Sequence, residues 1–331
     1  MNRVPQLDDI REAANRIAGA VHRTPVLTSH ALDEKFAARL FFKCENLQKV
    51  GAFKARGATN ATFALDDASL QKGVATHSSG NHAAALSYAA ALKGIPAYIV
   101  MPENAPRVKV DAVRSYGGEI TFCEPTLQAR ESGLESIVAE TGASVIHPYN
   151  DYRVITGQAT AAYELLHDVE NLDVVLAPVG GGGLLSGTAL STAYLSPSTR
   201  VIACEPAGAD DAFRSFKKGE IVPSVKPNTI ADGLLTSLGD LTFPIIQEYV
   251  DDIVTVSEHG IVQATRMIME RMKCVVEPSA AVTLAAILEG KIEVKGKNVG
   301  LLLSGGNIEL EKFVQQAESI VANSTGTELN V

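Results

Sequence analysis

The chain has 331 residues, 46% of them apolar and 20% charged, with a formal net charge of −9. That length and apolar share permit a substantial core in one large or two interleaved domains; the acidic balance, without any Lys/Arg-rich run, argues against a nucleic-acid partner. Cys44, Cys123, Cys204 and Cys274 are widely separated with no Cys-x-x-Cys pair, which suggests neither a zinc site nor a disulfide framework and fits a reducing cytoplasm.

In chain order, the first nine residues lack the apolar region of a secretory signal. Residues 8–21 carry apolar side chains at helical spacing with acids early, which predicts an amphipathic helix. Residues 39–45 read as a strand, and Gly51-Ala52-Phe53-Lys54-Ala55-Arg56-Gly57 opens a helix reaching about Leu65. From Gly73 the pattern is regular: strand 74–76, helix 82–92, strand 97–101, helix 107–116, strand 119–122, helix 127–140 and strand 144–147. The most apolar window, 83–101, is interrupted by Lys93, Gly94 and Pro96, so no membrane span is expected. Alternating strands and helices imply an α/β class built of parallel βαβ units with helices on both faces. The alternation continues with helix 157–166, strands 174–177, 200–204 and 253–256, helices 260–272 and 279–288, and strand 298–303. A last helix at 309–322 fades into a polar tail, 323–331, expected to be mobile.

The strand at 174–177 suits burial on both faces and runs into Gly180, Gly181, Gly182 and Gly183. Glycine N–H groups can approach a ligand closely. Leu184 resumes a helical pattern, so the glycines stand at a helix N-terminus, where an anion is favoured. A phosphate cup is the reading; a tight turn without ligand is its plain alternative. The spacing matches neither the dinucleotide nor the nucleotide-hydrolase loop. Ser78-Ser79-Gly80-Asn81-His82 and Ser304-Gly305-Gly306-Asn307 follow two further strands. Ligands of parallel sheets sit beyond strand carboxyl ends, so the three turns are expected to converge on one cleft.

Taken in order, the Lys54 segment, the serine loop, the four glycines and the Ser304 turn resemble the fold-type II pyridoxal-phosphate (PLP) enzymes, and among them the serine racemase and serine/threonine dehydratase family. The likeness runs from about Leu7 to Leu310. It implies two open, twisted, mostly parallel sheets with helices on both faces. It also implies a small domain at 71–150 carrying the serine loop and a large PLP-binding domain from 1–70 and 151–331. By this resemblance Lys54 bonds the cofactor aldehyde and, once released by substrate, acts as base at Cα. Phe53 and Gly233 flank the pyridine ring, Gly180 to Gly183 with Leu184 hold the phosphate, and Asn81 meets the ring hydroxyl. Ser304 faces the ring nitrogen. A hydroxyl cannot hold that nitrogen protonated as a carboxylate would, so racemisation or β-elimination is favoured over transamination. Ser79 matches the serine across the cofactor plane from the lysine, and inversion at Cα needs a base on one face and an acid on the other. Ser78, Ser79, Gly80, Asn81 and His82 are expected to grip the substrate carboxylate.

Glu205, the backbone carbonyl of Ala209 and Asp211 resemble a segment that binds Mg²⁺, Mn²⁺ or Ca²⁺. The expected activity is racemisation of serine with accompanying elimination to pyruvate and ammonia. A dedicated ammonia-lyase for serine, threonine or 3-hydroxyaspartate is the close rival, and a non-catalytic PLP-binding protein the remote one. A substrate β-carboxylate would call for a further cation, for which Arg130 is the candidate. Thr236 aligns with a cleft-edge position, and Tyr149 with one where racemases and dehydratases differ. The resemblance further implies a cytoplasmic homodimer without the regulatory domain of biosynthetic threonine dehydratases. Ala52 stands where many relatives have serine. His82 is followed by alanines where animal racemases carry Gly-Gln, so nucleotide activation is not expected.

Overall fold

The computed structural model describes residues 3–78 and 80–325; Ser79 and residues 326–331 of the polar tail lie outside the described residues. Among the described residues ten strands build two sheets: β1 (Val26–Leu27), β2 (Arg39–Cys44), β3 (Val74–His77), β4 (Ala97–Pro102), β5 (Glu119–Cys123), β6 (Ser144–Val145), β7 (Val174–Pro178), β8 (Arg200–Pro206), β9 (Asp252–Val256) and β10 (Asn298–Leu303). The larger sheet has the order β1-β2-β10-β7-β8-β9 and the smaller β5-β4-β3-β6. Every pairing is parallel except β1 against β2, in keeping with the α/β expectation.

Strands covered on both faces must be apolar throughout, and β7 and β10 are. Successive side chains alternate faces. Leu176, Leu301 and Leu303 pack with residues of helices Glu258–Met272 and Pro278–Leu288, whereas Val175 and Leu302 pack on the other face with Leu165 of helix Tyr152–Asp168 and Leu184 of helix Gly183–Leu195. In the smaller sheet, Val74, Ile99 and Met101 face helices Asn81–Lys93 and Arg107–Ser115, and Ala75 and Val100 face helix Leu127–Thr141. Among the described residues, no helix is long and apolar enough to cross a membrane.

Register decides where the site lies. Leu303 pairs with Cys44 and Leu301 with Leu176, so Ser304, Glu45 and the glycine turn all leave the larger sheet at one edge.

Several boundaries differ from the sequence expectation. The helix predicted at 157–166 runs Tyr152–Asp168, because the Asp151 carboxylate accepts the Arg153 N–H at 2.8 Å and caps it five residues earlier. The strand predicted at 144–147 ends at Val145; His147 Nδ1 accepts the N–H groups of Tyr149 (3.3 Å) and Asn150 (2.8 Å), which turns the chain away. The last helix, Leu310–Thr325, extends three residues into the predicted tail. Helices His30–Phe36, Asp67–Gln71, Asp211–Lys218 and Thr242–Tyr249 were not expected; none exceeds eight residues, too short for a periodic pattern to stand out.

Candidate active site between the two sheets

Lys54 is the first residue of helix Lys54–Phe63, which has no side-chain N-cap. Its start is held instead by a bridge between Ala52 and Gly305 and by the Phe53 N–H, which donates to the Ser304 carbonyl at 3.0 Å. The Lys54 amine donates to the Pro148 carbonyl at 2.7 Å. Burial pulls its pKa from 10.5 to about 8, against the opposing charge of Glu277. A lysine so placed supplies a neutral amine at mildly alkaline pH, which is what condensation with an aldehyde needs.

Two residues on, Arg56 is fully buried. Its guanidinium donates from Nε and Nη2 to Glu45 (2.7 and 2.8 Å) and from Nη1 and Nη2 to Glu164 (2.7 and 2.8 Å), while Lys43 Nζ reaches Glu164 at 2.6 Å. Two cations and two anions thus close a neutral quartet that ties the lysine helix to β2 and to helix Tyr152–Asp168. Burial works to raise the Glu45 pKa, and the Arg56 guanidinium outweighs it and holds the carboxyl below its ordinary value.

The predicted cofactor residues stand after β7 and β10, in the Gly233 turn and at the starts of the Lys54 and Asn81 helices. Gly180 to Gly183 link β7 to helix Gly183–Leu195, and Gly182 takes a left-handed conformation (φ +88°) as its N-cap. A Cβ at Gly181 would lie 2.3 Å from the Tyr149 ring, so only glycine lets the turn close beneath that tyrosine. Gly180 packs against Leu234, beside Gly233, whose N–H donates to Ser279 Oγ at 2.9 Å. Phe53 packs in the same apolar cluster as Leu184. Ser304, 3% exposed, ends β10 next to them.

The serine loop follows β3. Ser78 donates its N–H to the Val100 carbonyl (3.1 Å), and Ser78 Oγ accepts from Gly80 N (3.4 Å). Gly80 lies against the Lys109 side chain, and Lys109 is ion-paired with Asp232. Asn81 opens helix Asn81–Lys93, so the N–H groups of its first turn have no partner within the helix. Asn81 Nδ2 donates to both carboxylate oxygens of Glu277 at 3.1 Å, and Asn307 Nδ2 donates to Asn81 Oδ1 at 2.9 Å. The His82 ring is turned into the interior, its Nε2 at 2.9 Å from the Ile146 carbonyl, and burial takes its pKa down to about 3. That imidazole is neutral, and any hold on substrate at this position falls to the backbone.

Sequence reasoning passed over Glu277, His77 and His147. Glu277, 3% exposed, stands at the N-cap of helix Pro278–Leu288; a carboxylate inside the apolar run Val275-Val276-Glu277-Pro278 was the available signal. Burial raises it to about 7. His147 and Tyr149 meet edge to face at 4.6 Å, with His77 6.2 Å beyond His147, and burial lowers His147 to about 4. Arg130 donates to the Thr126 carbonyl at 3.3 Å and its charge reaches His77 and Tyr149; Thr236 meets Tyr149 as well.

The cation segment stands apart, at the end of β8. Glu205 accepts the N–H groups of Ala212 (2.9 Å) and Phe213 (2.8 Å), and Asp211 is the first residue of helix Asp211–Lys218 instead of lying in a loop. Both carboxyls are 1% exposed, and neither Asp211 oxygen has a hydrogen-bond partner. Burial raises Glu205 to about 8 and Asp211 to about 6. Paired buried carboxyls without a cation are costly, so this donor set fits a hard divalent ion. Among the described residues no three His, Cys, Asp or Glu side chains form a metal group; two carboxylates and a carbonyl are the whole set here.

The family model for pyridoxal-phosphate dependent enzymes matches residues 17–305. The chain belongs to that family. Among relatives, a β-hydroxyaspartate dehydratase of Paracoccus denitrificans is 53% identical over 94% of this chain and 98% of its own, and a serine racemase of Dictyostelium discoideum 51% over 93% and 96%. The solved maize serine racemase superposes with a TM-score of 0.92 at 46% identity, covering 98% of this chain and all of that one. This chain is therefore a PLP enzyme of the racemase and ammonia-lyase type. Its residues fit the group: a desolvated lysine amine, a glycine turn at a helix N-terminus, and a buried serine just after β10 whose carbonyl takes the N–H of Phe53 beside that lysine.

Proposed function

We propose that this protein is a serine racemase that interconverts L- and D-serine and also eliminates serine to pyruvate and ammonia. The observation that carries the reading is Lys54, whose desolvated amine is held near pKa 8 at the start of its helix, in a chain 51% identical to a serine racemase. When bound, PLP supplies the electron sink that makes the Cα proton acidic. Lys54 removes that proton on one face, Ser79 returns one on the other, and Ser78, Gly80, Asn81 and the His82 backbone hold the carboxylate at a helix start. Gly180 to Gly183 and Leu184 would seat the phosphate, Phe53 and Gly233 would flank the ring, Asn81 would meet its hydroxyl and Ser304 its nitrogen. For elimination the proton that Lys54 takes from Cα passes to the β-hydroxyl, which leaves as water, and a second water hydrolyses the released enamine to pyruvate and ammonia.

The test is L-serine with Mg²⁺, following D-serine by chiral chromatography and pyruvate in the same samples. Ser79→Ala is expected to lose D-serine formation by about 10²-fold or more while pyruvate persists; pyruvate without D-serine in the unmodified enzyme would make it an ammonia-lyase. One observation favours that second reading, the 53% identity to a β-hydroxyaspartate dehydratase, with Arg130 the cation for a β-carboxylate. Strong preference for 3-hydroxyaspartate over serine and threonine would reverse the order.

Glu205, the Ala209 carbonyl and Asp211 would hold the divalent cation with water, in a supporting role. Because Asp211 and Glu205 must shed protons, affinity rises with pH across about 6 to 8. Millimolar Mg²⁺ is expected to raise the unfolding temperature, by about 2.7 kcal/mol of stability at a hundredfold excess over Kd, and Asp211→Asn to remove the increment. Indifference of melting temperature to both Mg²⁺ and chelator would dispose of the site. We assign the segment 71–150 as the small domain, closing on the domain formed by 1–70 and 151–331, in a homodimer. Four unpaired cysteines support a cytoplasmic setting.

A further inference from the structure

We infer that Glu277 is a positioning residue for Asn81: its carboxylate holds one N–H of the Asn81 amide, Asn307 holds the amide oxygen, and the second N–H is thereby aimed into the cleft. The inference rests on the cofactor reading above, in which Asn81 meets the ring hydroxyl.

The geometry leaves Asn81 one orientation. Its Nδ2 lies 3.1 Å from each Glu277 oxygen, and its Oδ1 accepts from Asn307 Nδ2 at 2.9 Å, while Asn307 Nδ2 is itself anchored on the Val50 carbonyl at 2.8 Å. Flipping the amide would set Oδ1 against a carboxylate and Nδ2 against a donor. Only the ionised carboxylate is acceptor-only on both oxygens; a protonated Glu277 brings an O–H to the same contact and loosens the preference. Glu277 also stands beside two other segments assigned to the cofactor. A Cβ at Gly305 would lie 2.6 Å from its Oε1, and one at Gly233 3.9 Å away, so the carboxyl sits between the glycine assigned to the ring face and the turn assigned to the ring nitrogen.

The charges facing Glu277 are Lys54 from its helix, Asp232 from the Gly233 turn and Lys109 from helix Arg107–Ser115. Burial and Asp232 raise the carboxyl, and Lys109 lowers it, leaving it at about 7, where modest changes in pH change its state. Above that value both Glu277 and Asn307 hold the Asn81 amide; below it the Glu277 contact loosens and Asn307 holds the amide oxygen alone. Asn81 belongs to the helix that follows the serine loop, so the loop and the ring hydroxyl are governed together.

The experiment is a pH titration of the visible absorbance of the PLP-loaded enzyme between about pH 5.5 and 9, with PLP affinity measured at both ends. The unmodified enzyme is expected to show a midpoint near 7, with tighter PLP binding on the alkaline side. Glu277→Gln is expected to abolish the midpoint and weaken PLP binding about tenfold at pH 8. Asp232→Asn removes a neighbouring anion and is expected to lower the midpoint by about one pH unit; Lys109→Met removes a cation and is expected to raise it by a similar amount. A midpoint unchanged in Glu277→Gln, or unmoved in both neighbours, overturns the inference. Should Glu277→Gln fail to fold, the opposite shifts of the two neighbours decide it. Absence of any visible band in the unmodified enzyme would count against the cofactor reading instead.

Discussion

Lys54→Ala is expected to erase the visible absorbance of the PLP-loaded protein and to lower both D-serine and pyruvate formation by at least about a thousandfold. No other lysine among the described contacts is so placed: Lys43 is locked on Glu164 and Lys109 on Asp232. The same substitution separates chemistry from stability. At neutral pH the buried amine is charged and costs the fold free energy, since its folded pKa of about 8 lies below its ordinary 10.5. Between those values the unfolded chain binds more protons than the folded one, so stability attributable to Lys54 rises with pH across that window. The cofactor-free variant is therefore expected to be as stable as the unmodified protein or more so at pH 7, with the rise between 8 and 10.5 removed. A variant that keeps the band and most of its turnover would take Lys54 out of the reaction.

Arg56→Met is expected to cost about 3–5 kcal/mol in urea unfolding of the cofactor-free protein, because it strands Glu45 and Glu164 in a dry interior with only Lys43 to answer them. Glu45, held low by Arg56 against burial, then faces burial with less opposition, so its folded pKa rises above the unfolded one. Stability lost this way is recovered as pH falls and the carboxyl takes up a proton. The deficit should thus narrow toward about pH 5. A cost below about 1 kcal/mol, or one that does not change with pH, would mean the quartet does not hold the lysine helix in place.

How much of this was legible beforehand varies by residue, for physical reasons. Alternating apolar segments carry their own period, so the α/β class and the long helices could be read from local pattern. Glycine runs and a lysine in a motif announce chemistry because few other side chains would serve, and the Lys54, Asn81 and Ser304 segments do touch, through the Phe53–Ser304 and Asn307–Asn81 hydrogen bonds. Asp151 as a helix cap and the His147 turn are also local, and were passed over because a polar residue before an apolar run has many uses.

What local pattern cannot carry is the partner chosen across the fold. Glu277 becomes a titrating group near 7 only because the β10 turn, the Asp232 turn and Asn81, drawn from segments up to 226 residues apart, bury it together. Arg56 is one charge among many until register and helix packing bring Glu45 and Glu164 to its two edges. The sequence by itself determined the kinds of element, the motifs and the family, since those rest on period and residue type. Only the tertiary structure decided which charges are buried, which are paired and at what pH they change, because desolvation and Coulomb energy depend on distances that exist only after the sheets have closed on each other.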